Sequence, residues 1–522
     1  MAVTSNPAGL SARHYLWALP RLATLGCGVA LFLFLLLGLL LLTPRFNLVD
    51  DAHYILCAQA LATGQGYRDI HLPMQPLHRL FPPGMAAFLA LPTWLALQLG
   101  LSFDHSIIIY KLLLLGCGLL SLYGLVLWAQ NHRYSPHQIT TGLLLMATSI
   151  TLLGHTYRVA SEIPYILLTI LVLLALPRYF SATPLFSCWL PIVAIFLGAL
   201  FLTRTVAIAL WGAIICQTLF HRQFLRTQLL FFITGLLLLP WFWYTTEASP
   251  GMQRYWGDMW LQYQINDATA ANNLVLAIVR QIGQNAWLMF DQEIPRMIFS
   301  LSASQIVREH FWLNAVCLPL RGAISIIILG VIIKNCANPL PGVQLVSFYV
   351  LIYSAIILIW PWEPSRFLLP LLPFYCLAFV VGLENLFTRL NLHNIRRQLL
   401  ITVVTICLLA QFVSVGRLII TVRQTVDYTP ATALVWNDLM EAYQWLRTKT
   451  NTSSILACAP TIEAHTFLYT QRQAVPLPAK LELLYKTQAD YIIKVQDITF
   501  NGKTGLQQSE IDFRRLIRKF PQ

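Results

Sequence analysis

The chain has 522 residues, of which 57% are hydrophobic and 11% charged, with a mean hydropathy of +0.63. A soluble domain carries about 25% charged residues, so the composition excludes one and specifies a polytopic α-helical membrane protein. The net charge of +13 would suggest nucleic acid in a soluble chain. Here Lys and Arg flank apolar runs, as they do when they set membrane orientation, and no nucleic-acid partner is inferred.

The first apolar run, residues 22–43, contains LFLFLLLGLLLL and matches the ~20 residues that cross a hydrocarbon core. It is longer than the apolar region of a signal peptide, and no small-x-small cleavage pattern follows it, so it reads as an uncleaved span. The next stretch, 47–83, holds adjacent carboxylates, Asp50 and Asp51, in a chain with only 22 acidic residues. Ionised carboxylates avoid hydrocarbon unless solvated, paired or functional. Tyr54, Ile55, Ala58, Leu61 and Ala62 recur at helical spacing. They predict a short interfacial helix over 50–63, stopped by Gly64 and Gly66. Pro82-Pro83-Gly84 then opens an apolar stretch, 85–99, broken by Pro92. It is too short for a confident span and reads as an interfacial or re-entrant helix.

Further spans are expected near 106–129, 139–155, 162–176, 188–203, 206–220, 227–244, 313–333, 343–360, 366–386 and 398–420. With the first they make about eleven. One set of alternate loops holds Arg133, Arg178, Arg222, Arg226, Lys334, Arg389, Arg396 and Arg397, with Arg13 and Arg21 before the first span. The opposite short loops hold only Arg158, Arg204 and Arg366. The positive-inside rule therefore places the N-terminus in the cytoplasm and the Asp pair outside. Two modules are expected: a transmembrane catalytic module, 1–427, with outer loops at about 44–105 and 245–312, and a small extracytoplasmic α/β domain, 428–522. In the latter, a helix over 437–449, a strand over 454–458, a helix over 462–469 and a strand over 491–495 follow one another.

A carboxylate at a semi-buried interface can act as a general base on an acceptor hydroxyl or amine. Asp50 and Asp51 are therefore the candidate catalytic residues; the structural alternative is helix capping, and the two can be divided between them. Glu162 starts a span and could orient substrate or pair with Arg158 or Arg204. Arg366, in WPWEPSRFLLPLLP, suits bidentate phosphate binding, with snorkelling to lipid headgroups as its alternative. Arg79, Arg254 and Arg296 are weaker phosphate candidates, and Tyr54, Tyr157, Arg158 and Arg204 complete the candidate substrate-binding set. His53, His71 and His78 share the first loop but lack HxH or HxxxH spacing, so no cofactor is required and a divalent cation is left open. The ten cysteines show no CxxC pairing and read as small buried hydrophobes.

Together, Asp50-Asp51-Ala52-His53-Tyr54, the Gly turn, the Pro-Pro element, Ser161-Glu162-Ile163-Pro164, Thr203-Arg204 and the stretch from Arg366 resemble the GT-C glycosyltransferases. The likeness is to the superfamily of protein O-mannosyltransferases and lipid A aminoarabinose transferases. That resemblance implies a polyprenyl-phosphate sugar donor, an acceptor glycan, lipid or protein, and Asp50 at the position of the catalytic aspartate. Asp51 takes a place usually held by Glu, and Phe81 stands where a Lys often precedes the Pro-Pro element. Phosphate binding would then fall to Arg79 or Arg366. The rival class is a secondary transporter or flippase for a lipid-linked or small polar substrate. Transporters set ionisable groups near the bilayer midplane, whereas this chain keeps its acids at span ends.

Overall fold

The computed structural model describes residues 20–46, 50–247, 251–266, 273–303, 307, 309–392, 394–424, 430–458, 462–477 and 489–493. Arg13 and residues 494–522 of the expected C-terminal domain lie outside them. Among the described residues, eight helices are long and apolar enough to cross a membrane. They are α1 (Arg21–Leu40), α4 (Phe103–Asn131), α7 (Glu162–Ser181), α10 (Phe224–Glu247), α14 (Phe311–Asn335), α15 (Pro341–Ile359), α16 (Leu372–Arg389) and α17 (Arg396–Gln424). The expected span at 139–155 is a pair, α5 (Pro136–Thr148) and α6 (Ile150–Thr156), bent by 53°. Those expected at 188–203 and 206–220 are the shorter apolar helices α8 (Trp189–Thr203) and α9 (Ile208–His221).

Local chemistry sets these boundaries. Ser135 and Gln138 form a reciprocal capping box at the start of α5, with Pro136 in the first turn, where its missing N–H costs nothing. Ser102 caps α4 by accepting the His105 N–H. The helices are apolar all round, so partners decide which face is covered: α1 packs on α4 and α5, α7 on α4 and α8, and α9 on α15. Leu22, Leu25 and Phe32 remain exposed on α1, a lipid-facing surface in a chain of this class.

Three segments build one end of the bundle. The first is α2 (Asp50–Ala62), followed by a hairpin and by α3 (Gly84–Gln98). The expected interfacial helix is therefore present, but it is covered: Ala52, Tyr54, Ile55, Leu56, Cys57, Ala58 and Ala60 are all buried. The cover comes from α3 and from the C-terminal unit. At Gly84 the chain runs so close to α8 that a Cβ would lie 2.6 Å from the carbonyl of Leu202. Only glycine permits that approach, which seats the Pro-Pro turn against the end of α8.

The second segment comprises α11 (Gly251–Asn266), α12 (Leu274–Leu288), a π-helical turn over Met289–Glu293 and α13 (Ile294–Ile298). Asn285 donates to the carbonyls of Ile357, Leu358 and Trp360, and Asn266 donates to that of Pro361. These bonds satisfy the carbonyls at the end of α15 and fix the segment leading to Arg366. Asp291 forms a buried ion pair with Arg321 of α14 at 2.8 Å.

The third segment is the C-terminal unit, with α18 (Pro430–Lys449), α19 (Glu463–Thr470) and a parallel sheet of β1 (Ile455–Cys458), β2 (Gln473–Pro476) and β3 (Tyr491–Ile493) in the order β2-β1-β3. It docks on the first segment through aromatic contacts. Tyr469 stacks on Phe46 at 5.9 Å and meets Phe103 edge-on at 5.2 Å. Ala474 of β2 donates to the His71 carbonyl at 2.8 Å.

Candidate active site

The polar centre of this end forms where α2, the start of α7, the end of α8 and the segment before α16 converge. Asp50 opens α2 and forms an ion pair with Arg366, whose guanidinium lies over the ring of Phe367 at 4.9 Å. Both are reachable, with side chains 20% and 34% exposed. Arg366 is held in place because Tyr353 of α15 donates to the carbonyl of Phe367 at 2.7 Å.

Beneath this pair lies a second one. Glu162, at the first position of α7, binds Arg204 at 2.6 Å, and Arg204 also donates to the Ser161 hydroxyl at 3.1 Å. Arg204 sits on extended backbone between α8 and a short 3-10 turn, so its side chain crosses to the start of α7 and passes over Phe367 at 5.3 Å. The other carboxylate oxygen of Glu162 is buried and has no hydrogen-bond partner. Ser161 in turn meets the Tyr54 hydroxyl at 3.3 Å. Arg366 interacts electrostatically with both Asp50 and Glu162 and is repelled by Arg204, so two carboxylates and two guanidinium groups share one pocket of field.

Burial alone would lower the pKa of Arg204 and of Arg366. The facing carboxylates reverse this: Glu162 raises Arg204, and Asp50 followed by Glu162 raises Arg366. Both guanidinium groups therefore stay charged. Burial, then the Asp50 charge, pushes the Tyr54 hydroxyl above its ordinary value, so it serves as a neutral hydrogen-bonding group.

Asp51 occupies a different environment. It is 2% exposed and accepts the Val159 N–H at 2.8 Å, tying α2 to the loop before α7. Lys111, fully buried in α4, donates to the carbonyls of Thr43 and Arg45. Its ammonium lies over the ring of Tyr157 at 4.1 Å and feels the charge of Asp51. Tyr157 thus supports Lys111. Arg158 is half-buried beside it and interacts electrostatically with His155.

Asp50, Tyr54, Glu162, Arg204 and Arg366 are therefore brought together, with Asp51 and Tyr157 packed behind them. Arg79 lies on the hairpin near Tyr244, with its Nε buried and lacking a hydrogen-bond partner. Arg296 is exposed on α13. Arg254 lies on α11, and its side chain is outside the described set. The sequence reading missed Lys111, whose charge is concealed in an apolar run, and the role of Ser161, which joins the Tyr54 hydroxyl to the Glu162–Arg204 pair. It also missed His155: its Nδ1 bonds the Thr151 carbonyl at 2.8 Å, its Nε2 is buried without a hydrogen-bond partner, and it feels the charges of Glu162 and Arg366. Among the described residues, one group has a geometry that could hold a metal ion: His53, Asp69 and His78.

No protein-family profile matches the chain, and no curated protein matches it in sequence. Solved structures do match. The archaeal oligosaccharyltransferase AglB from Archaeoglobus fulgidus, in complex with an inhibitory peptide and a dolichol-phosphate, is 11% identical over 90% of this chain and 69% of its own, with a TM-score of 0.57. ArnT from Cupriavidus metallidurans, bound to undecaprenyl phosphate, is 12% identical over 92% of both chains, with a TM-score of 0.54. The architecture is the GT-C fold. A further structure of the Archaeoglobus protein, a complex with Zn and sulfate, matches with a TM-score of 0.57 at 11% identity, covering 89% of this chain and 67% of that one. The GT-C fold agrees with the resemblance carried by the short motifs, while at these identities it speaks for architecture alone.

Proposed function

We propose that this chain is an integral membrane glycosyltransferase that moves a sugar from a polyprenyl-phosphate carrier to an acceptor, with inversion at the anomeric carbon. The observation that carries the reading is the accessible Asp50–Arg366 pair set against the buried Glu162–Arg204 pair. It puts a carboxylate and a phosphate-binding cation side by side at one end of an apolar bundle. GT-C neighbours solved with dolichol-phosphate and undecaprenyl phosphate support the same donor class.

In this mechanism the donor phosphate competes with Asp50 for Arg366, because a guanidinium binds phosphate bidentately. The exchange releases the Asp50 carboxylate. Asp50 then takes the proton of the acceptor hydroxyl or amine as that nucleophile attacks the anomeric carbon opposite the phosphate. The bond from the anomeric carbon to the phosphate oxygen breaks, and its electron pair leaves with polyprenyl phosphate. Arg366 stabilises that leaving charge in a water-poor setting. Glu162 holds Arg204 in register. Asp51 positions α2 rather than reacting. The site and the C-terminal unit face the extracytoplasmic side, following the distribution of basic residues. The charged groups gather at one end of the bundle, which favours this reading over transport through its middle.

The test uses purified protein in lipid nanodiscs with a panel of polyprenyl-phosphate sugars, following release of polyprenyl phosphate in wild type, Asp50→Asn and Asp51→Asn. Turnover lost in Asp50→Asn with donor still bound supports the reading. Absence of binding and turnover with every carrier, together with substrate flux in sealed vesicles, overturns it in favour of transport.

A further inference from the structure

We propose that His53, Asp69 and His78 form a divalent-metal site of the zinc class that clamps α2 to the hairpin after it. The nearest ligand atoms of these three side chains all lie within 4.8 Å of one another. They come from two pieces of chain. His53 lies in α2, and the other two face each other across a hairpin, closed where Arg68 pairs with Leu77, Asp69 N–H donates to the Pro76 carbonyl at 2.9 Å and His78 N–H donates to the Tyr67 carbonyl at 3.0 Å. The turn is tight, with Met74 and Gln75 at φ of 63° and 46°.

The donor set suits zinc, which takes imidazole nitrogen and carboxylate oxygen at about 2.0–2.2 Å. His78 Nδ1 and Asp69 Oδ1 already stand 2.7 Å apart with a hydrogen bond between them. Tetrahedral zinc needs an edge of about 3.3 Å at those bond lengths, so this pair opens by roughly half an ångström while His53 moves in. Metal binding through Nδ1 requires the His78 ring proton to sit on Nε2, so the long 3.3 Å contact from the Phe81 N–H gives way.

A further nitrogen stands beside the group. The His71 ring lies 5.6 Å from that of His53. The residue is 2% exposed, and its buried Nδ1 has no hydrogen-bond partner, so a side-chain rotation offers a fourth ligand. The consequence is positional. His53 is one turn after Asp50 on α2, so the metal fixes the start of that helix, and the same hairpin carries the His71 carbonyl on which β2 rests.

The experiment uses the full-length protein in detergent, stripped with chelator, given one equivalent of zinc, desalted and analysed for metal. Wild type and His105→Ala, an exposed histidine elsewhere, are expected to retain about one zinc per chain. His78→Ala and Asp69→Asn are expected to lose affinity by more than the roughly 10–100-fold typical of removing a group that only supports a ligand. Cobalt in the wild-type chain should show the visible bands of a tetrahedral site, a readout independent of any variant's folding and of glycosyl transfer. Wild type that retains no zinc and shows no such bands, or His78→Ala that retains as much metal as wild type, overturns the proposal.

Discussion

Arg366 reaches from the segment before α16 to pair with Asp50 at the first turn of α2, closing the open end of the bundle with one ion pair between two accessible side chains. If Asp50 is the base, Asp50→Asn should lower turnover by about 10²–10⁴-fold, the usual contribution of general-base catalysis, with donor affinity kept or raised, because the amide no longer competes with phosphate for Arg366. Arg366→Gln should instead weaken donor binding and raise KM. Steady-state kinetics with varied donor separate the two. Turnover within tenfold of wild type in Asp50→Asn would assign the base elsewhere, with His155 the next group to test.

Asp51, one residue further on, should behave differently. Its carboxylate accepts the Val159 N–H in a site that is 2% exposed. Asp51→Ala leaves that donor unsatisfied and should cost about 1–3 kcal/mol of stability, visible as a lower thermal midpoint. The folded fraction should keep its specific activity. A stable Asp51→Ala protein without turnover would move the chemistry to Asp51.

Much of this centre was legible in the sequence, for a physical reason. In a chain this apolar, a charge at a span end costs enough to demand a partner, so Asp50, Glu162, Arg204 and Arg366 could be picked out singly. Of their pairings, Glu162 with Arg204 was one of two the sequence offered, since both residues stand at span ends on one side, whereas Asp50 with Arg366 was not, because more than 300 residues separate them. Lys111 escaped notice because one lysine barely changes the mean hydropathy of a long run. Asp69 escaped for the opposite reason: in a polar loop nothing distinguished it until the hairpin set it against His78. In the C-terminal unit, β1 and β3 were visible as short apolar runs, whereas β2 is four residues ending in Pro476, a signal weaker than a turn.

The buried Glu162–Arg204 pair supports a third prediction. Removing one partner leaves the other charge uncompensated, so Glu162→Gln should destabilise by about 3–5 kcal/mol. The double variant Glu162→Gln with Arg204→Met should regain most of that stability, because neither charge remains to be solvated. It should regain no activity if the pair also positions the acceptor. Thermal unfolding and turnover of the four proteins give the cycle. A double variant as unstable as Glu162→Gln alone would mean that the pair does not act as a unit.

The docking of the C-terminal unit should weaken in acid through His465. This imidazole is fully buried, 3.2 Å from the Tyr443 hydroxyl and 5.0 Å from the ring of Phe46, and burial pushes its pKa from 6.5 down to about 3. Between those values the unfolded or undocked unit binds a proton that the folded one refuses, so stability falls as pH falls. Above pH 6.5 the group contributes no pH dependence. Below it the loss is about 1.4 kcal/mol per pH unit, or roughly 2 kcal/mol by pH 5. Limited proteolysis of the C-terminal unit between pH 7 and 5 should therefore accelerate as acid is added, and His465→Gln, which cannot titrate, should flatten that slope while lowering stability at pH 7. An equal acid slope in both proteins would show that other groups set the pH response.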